Sequence, residues 1–139
     1  MSNPMSEFNE KIIAEFHANE GRVGGPFDGE TLLLLHHTGA KTGAARINPL
    51  VYLPDGDRYV IFASKAGAPT NPDWYHNLKA HPDVEIEVGT ETLAVKASEV
   101  TGAERDRLYS EQEQRMPQFT DYTQKAEGRQ IPVIALTPA

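Results

Sequence analysis

Between Thr31 and Ala63 three apolar runs of strand length, Thr31–His37, Ile47–Leu53 and Arg58–Ala63, are separated only by turns. Runs this short are strand-sized, and connections this tight force successive strands to run antiparallel. Pro54-Asp55-Gly56-Asp57 is a turn signal with a glycine where the chain must reverse. Thr31–His37 is apolar almost throughout, which predicts a strand buried on both faces. The middle of the chain is therefore an antiparallel meander.

The flanking segments add helices and a second hairpin. Phe8, Ile12, Ile13 and Phe16 recur at helical spacing, so Met5–Asn19 reads as an amphipathic helix with Ser6 as its cap. Gly21–Gly29, with Pro26 inside it, is a Gly-rich connector. Ser64–Asn71 reads as a loop, and Asn71 caps a short helix over Pro72–Ala80. Val84–Val88 and Thr92–Val100 alternate around Gly89-Thr90 as a hairpin. Thr101 and Glu104 stand in capping-box spacing at the head of a charged helix, Thr101–Arg115. Met116–Arg129 is polar and aromatic without a clean period, and Ile131–Leu136 is a final strand. The order α-βββ-α-ββ-α-β predicts an α+β fold, a small and mostly antiparallel barrel with peripheral helices. One domain is expected over residues 1–139, with a helix and connector in 1–30 and the barrel in 31–139.

Composition narrows the function classes. The chain has no cysteine, which excludes disulfides, iron–sulfur clusters and thiolate metal sites. A formal net charge of -7 opposes sequence-independent nucleic-acid binding, which needs a basic face. No apolar stretch approaches the roughly 20 residues of a membrane span, and Met1–Glu10 lacks the pattern of a secretory signal. A cytoplasmic protein is expected.

Against that acidic background the turn Thr38-Gly39-Ala40-Lys41-Thr42-Gly43-Ala44-Ala45-Arg46 is locally cationic. Two glycines leave backbone N–H groups unobstructed, while Lys41, Thr42 and Arg46 add a point charge, a hydroxyl and a bidentate fork. Such a turn suits a phosphorylated or polycarboxylate small molecule. The same residues also make an ordinary soluble hairpin turn, and the motif alone leaves both readings open. It is not a Walker A loop, because Lys41 precedes Gly43 and a strand rather than a helix follows.

Two further clusters carry candidate chemistry. After Ala63, Ser64, Lys65, Gly67 and Ala68 form a loop able to approach a flat ring, with Trp74 or Tyr75 as an apolar wall. Trp74 equally suits a simple anchor of the short helix. Met116, Phe119 and Tyr122, three apart, place apolar and aromatic groups on one helical face over a pocket or in the core. The histidines fall in no metal pattern: His36 and His37 point to opposite faces of a strand, and His76 and His81 are five apart. Ser64 lacks the elbow of a serine hydrolase.

The order of these clusters closely resembles the deazaflavin-dependent nitroreductase family, split β-barrel oxidoreductases of actinobacteria. The resemblance runs from Leu32 to Leu136. It is carried by Lys41-Thr42-Gly43 with Arg46 and Asn48-Pro49-Leu50, then Ala63-Ser64-Lys65 through Asn71-Pro72-Asp73-Trp74-Tyr75-His76-Asn77-Leu78, then His81-Pro82-Asp83-Val84. It implies a split barrel binding the 8-hydroxy-5-deazaflavin coenzyme (F-420) in its reduced form. By position, Lys41, Thr42, Gly43 and Arg46 would hold the coenzyme's phosphate and oligoglutamate tail. Asn48 and Pro49 would lie along it, and Ser64, Lys65, Gly67 and Ala68 would line its ring or linker. Trp74, Tyr75 and Asn77 would close the groove. The resemblance leaves monomer or homodimer open.

Members closest to the family name carry several tyrosines before the last strand, where this chain has Met116, Phe119 and Tyr122, and Val51 replaces another. The resemblance then implies a more apolar substrate pocket of Val51, Met116, Phe119 and Tyr122, suited to quinones, coumarin-like lactones and enones more than to nitroaromatics. A quinone acceptor would add a peripheral membrane contact. Tyr122 is the one phenol left there and is the expected proton or hydrogen-bond donor in hydride transfer from the coenzyme. The competing expectations are an FMN-binding split barrel and a deazaflavin carrier without turnover.

Overall fold

The computed structural model describes residues 4–23, 31–64, 71–125 and 130–139. Its elements are α1 (Pro4–Ala18), β1 (Leu32–Thr38), β2 (Ala45–Val51), β3 (Leu53–Asp55), β4 (Arg58–Phe62), α2 (Asp73–Ala80), β5 (Asp83–Val88), β6 (Glu91–Val100), α3 (Gly102–Arg115), α4 (Gln118–Lys125) and β7 (Val133–Pro138). The strands form one antiparallel sheet in the order β2-β1-β5-β6-β7-β4-β3.

That order explains the barrel. β2 and β3 are the two edges of the sheet, yet only Tyr52 separates them in the chain. One residue spans only about 3.4 Å, so the sheet must curl until its edges nearly meet. Tyr52 is pinned at the junction, its N–H donating to the Thr31 carbonyl at 3.1 Å while the Thr31 hydroxyl donates to the Tyr52 carbonyl. The expectation of a single strand over Ile47–Leu53 is corrected here: it is two edge strands with a corner between them.

Strand alternation sends side chains to two separate cores. Leu33 and Leu35 of β1 join Ile61, Ile86, Val95 and Leu136 in one, closed by Trp74, Tyr75 and Leu78 of α2. Leu32 and Leu34 face the other way, against Ile12 and Phe16 of α1. β1 is thus buried on both faces, as its apolar run predicts. Fully burying each leucine contributes about 1.5–3 kcal/mol. Elsewhere on the outer face α3 and α4 bury Leu108, Tyr109, Met116 and Phe119 against Val60, Phe62 and Val133.

Four local expectations change. α4 lies inside the segment expected to lack a period, because Phe119 is held by edge contacts to Phe62 and Tyr109 rather than by a repeating stripe. Thr101 occupies the N-cap of α3 without a side-chain cap bond, and Glu104 instead accepts from Arg58 at 2.8 Å. The N-cap of α2 is Pro72, not Asn71. α1 begins at Pro4, which places Ser6 within the helix rather than at its cap. Among the described residues no helix is long and apolar enough to cross a membrane.

Candidate functional site

The glycine turn joins β1 to β2 and is closed on itself. The Gly39 N–H donates to the Ala44 carbonyl and the Gly43 N–H to the Gly39 carbonyl, both at 2.9 Å. Gly43 has φ +69°, a conformation L side chains rarely adopt. A Cβ on Gly39 would stand 2.5 Å from the Thr42 hydroxyl, which itself accepts from the Ala44 N–H at 3.2 Å. Thr42 is therefore partly committed to shaping its own turn. Lys41 and Arg46 are exposed, and Arg46 stands 3.7 Å from Asp73, the first residue of α2.

Beneath the turn lies a buried polar relay. The Asn77 Oδ1 accepts the Ala40 N–H at 2.9 Å, so its Nδ2 faces the Nδ1 of His37 at 3.0 Å. Nδ2 can only donate, so Nδ1 carries the lone pair and the imidazole proton sits on Nε2. That proton is donated to Asn48 Oδ1 at 2.7 Å. His37 is only 4% exposed and Asn77 5%. Burial pushes the His37 pKa below the usual histidine range, with the nearby Arg46 adding to this and the Asn48 hydrogen bond opposing it. His36, one residue earlier, points outward to Glu87 at 2.6 Å, as strand alternation dictates.

Sequence reasoning named Asn48 and Asn77 and weighed His37 only as a metal ligand. The missed signal was a histidine at the end of an otherwise apolar buried strand, which must find hydrogen-bond partners. Among the described residues no group of three metal-ligating side chains converges.

The other named residues separate into groups. Trp74 is buried in the inner core. Tyr75 donates its hydroxyl to Glu99 on β6 at 2.7 Å, and burial followed by that bond raises its pKa. Two residues along a helix point about 200° apart, so Tyr75 faces β6 while Asn77 faces the glycine turn. Asn48 and Pro49 lie half-buried along β2, and Ser64 follows β4. Lys65, Gly67 and Ala68 lie outside the described residues. Met116, Phe119, Tyr122 and Val51 do come together: the first two are buried in the outer core, and the last two pack against it. The Phe119 and Tyr122 rings meet at 5.0 Å between centroids.

β2 connects the two ends of this arrangement. It is an edge strand with no fully buried residue, carrying Arg46 and Asn48 near the turn and Val51 at the apolar cluster. Five residues separate Arg46 from Val51, about 17 Å along a strand. A groove of about 600 Å³ opens beside the turn, lined by His36, Arg46, Ile47, Asp83 and Ala139 among others. By strand alternation Arg46 and Asn48 point to one face of β2 and Val51 to the other, where it meets the outer cluster.

Known proteins share this sequence pattern and fold. The F420H2-dependent quinone reductase family model matches residues 10–138. An F420H2-dependent quinone reductase of Mycobacterium tuberculosis is 45% identical over 128 residues, covering 89% of this chain and 85% of that protein. The solved structure of an F420-H2 dependent reductase, FDR-A, superposes with TM-score 0.69 at 34% identity, over 76% of this chain and 93% of that one. A structure described as a domain-swapped dimer gives TM-score 0.71 at 31% identity, over 96% and 99%. The split-barrel fold and the deazaflavin resemblance read from the sequence are both borne out. The chain belongs to the F420H2-dependent quinone reductase family.

Proposed function

We propose that this protein reduces quinones and related conjugated acceptors, enones and coumarin-like lactones among them, with the reduced deazaflavin coenzyme F420H2. One observation carries the reading: an exposed cationic turn opens β2 in a chain of the F420H2-dependent quinone reductase family. The donor set fits the coenzyme's anionic tail, since Lys41 in the turn and Arg46 just after it are both exposed cations. When bound, the coenzyme supplies a hydride. The protein's own residues do the rest. Lys41 and Arg46 hold the tail, and Asn48, whose Oδ1 is taken by His37, directs its Nδ2 amide to the ligand. Val51, Met116 and Phe119 exclude water, and the Tyr122 hydroxyl donates to the acceptor oxygen as negative charge develops there.

Oxidation of the reduced coenzyme, followed against a panel of quinones, enones and nitroaromatics, tests the proposal. Turnover with quinones is expected, with nitroaromatics slower because the pocket is short of phenols. Binding without turnover across the panel would instead make the protein a carrier. Tighter binding of FMN than of the deazaflavin in a fluorescence titration would move it to the FMN-binding branch of the fold. The likeness to a domain-swapped dimer and the position of β2 at a sheet edge support a homodimer, measurable by solution mass.

A further inference from the structure

We propose that His37 is a positioning residue whose protonation releases the glycine turn, making coenzyme binding weaken as pH falls. The inference rests on the turn being the coenzyme's tail clamp. Its physical basis is a relay with no room for a second proton. Ala40 N–H fixes Asn77 Oδ1, Asn77 Nδ2 fixes the His37 Nδ1 lone pair, and Nε2–H is spent on Asn48. A proton arriving at Nδ1 places two donors face to face. Flipping the Asn77 amide relieves that clash but turns its NH2 onto the Ala40 N–H, another donor pair. Either way one bond in the chain from β1 through α2 to the turn is lost, and a buried donor left unpaired is costly.

The surroundings reinforce this. Arg46 on β2 and His36 on β1 disfavour a cation at His37, while Asp73 on α2 favours one, and burial outweighs them all. The sign of the effect separates the relay from simple electrostatics. A new positive charge beside an anion clamp would tighten an anionic ligand, whereas loss of the turn's anchor loosens it.

The relay is first tested without ligand, by NMR. At about pH 7.5 the His37 ring should show the Nε2–H tautomer, and acidification is continued below the usual histidine range until the ring resonances report protonation. Over that interval the Ala40 amide, corrected for intrinsic exchange, should lose at least about tenfold in protection. An Asn77→Asp variant should keep that protection, because a carboxylate accepts from both Ala40 N–H and a protonated His37. Coenzyme affinity, titrated by fluorescence over the same range, should fall at least about fivefold more in the wild type than in Asn77→Asp. Comparing the two proteins cancels ionisation of the coenzyme itself. Unchanged Ala40 protection, or wild-type affinity that rises on acidification, overturns the proposal. An Ala40 response in a protein that binds no deazaflavin at any pH overturns the proposed function, and with it the role assigned to the turn.

Discussion

Val51 and Leu53 are two residues apart in the chain and stand on opposite edges of one seven-stranded sheet. β2 runs from the cationic turn to this corner, and its length sets their separation. Thr31 and Tyr52 hold the corner through two hydrogen bonds. Replacing Thr31 by Val keeps the side-chain shape and removes the hydroxyl donor. The expected loss is about 0.5–1.5 kcal/mol, read from the urea midpoint at unchanged slope. An unchanged midpoint would mean that the backbone bond alone fixes the corner.

Arg46 is held 3.7 Å from Asp73 on the exposed surface. A pair of this kind contributes only about 0–1 kcal/mol, so it orients Arg46 without locking it. Asp73 also competes with any anion for that guanidinium. Asp73→Asn should therefore tighten deazaflavin binding a few-fold, whereas Lys41→Ala or Arg46→Ala should weaken it by about 1–3 kcal/mol, the range for charged hydrogen bonds. Titrations at two salt concentrations would check both, the alanine variants showing the shallower salt dependence. Equal affinity in all four proteins would remove the turn from the binding site.

Glu87 joins three elements, accepting from His17 of α1 at 2.8 Å and from His36 of β1 at 2.6 Å. Burial pushes its carboxyl upward, but the hydrogen bonds to His36 and His17 together with the attraction of the two imidazoles hold it below its usual value of 4.5. A depressed carboxylate stabilises the fold fully above its unfolded pKa. That stability is lost as pH falls from there through the folded value, because the unfolded chain takes up the proton first. Glu87→Gln should accordingly flatten the decline in thermal midpoint below about pH 4.5. Hydrogen exchange at the C-terminal end of α1 should respond first, since His17 is the contact that ties the helix to β5. An identical acid limb in both proteins would place the acid sensitivity elsewhere.

Much of this was legible in the sequence because it rests on local pattern. The Leu32–Leu35 run, the turn at Gly56 and the second hairpin each announce themselves within a few residues, and so does the cationic turn. The corner at Tyr52 does not, since nothing in Ile47–Leu53 tells which sheet neighbour each half will find. α4 was hidden for a similar reason: Phe119 is buried through rings contributed by β4 and α3, not through a stripe of its own. His37 illustrates the sharpest limit. Its partners Asn48 and Asn77 lie 11 and 40 residues away, and only the folded sheet brings them to one imidazole. Tyr75 and Asn77 look like a single motif in the chain, and helical geometry turns them to different sides.

Tyr122 offers the most direct test of the chemistry. Its ring packs on Phe119 at the edge of the outer core, and Phe119 and Met116, its neighbours in that cluster, have no proton to give. Hydride addition to a quinone or enone leaves an oxyanion that needs a donor, and the proposed donor is this phenol. Tyr122→Phe preserves the packing and removes only the hydroxyl. Turnover with a quinone should fall about tenfold or more, equivalent to about 1.4 kcal/mol of transition-state stabilisation. Coenzyme affinity and thermal midpoint should stay the same, which separates a donor from a packing residue. Undiminished turnover would assign the proton to solvent and leave Tyr122 as a wall of the pocket.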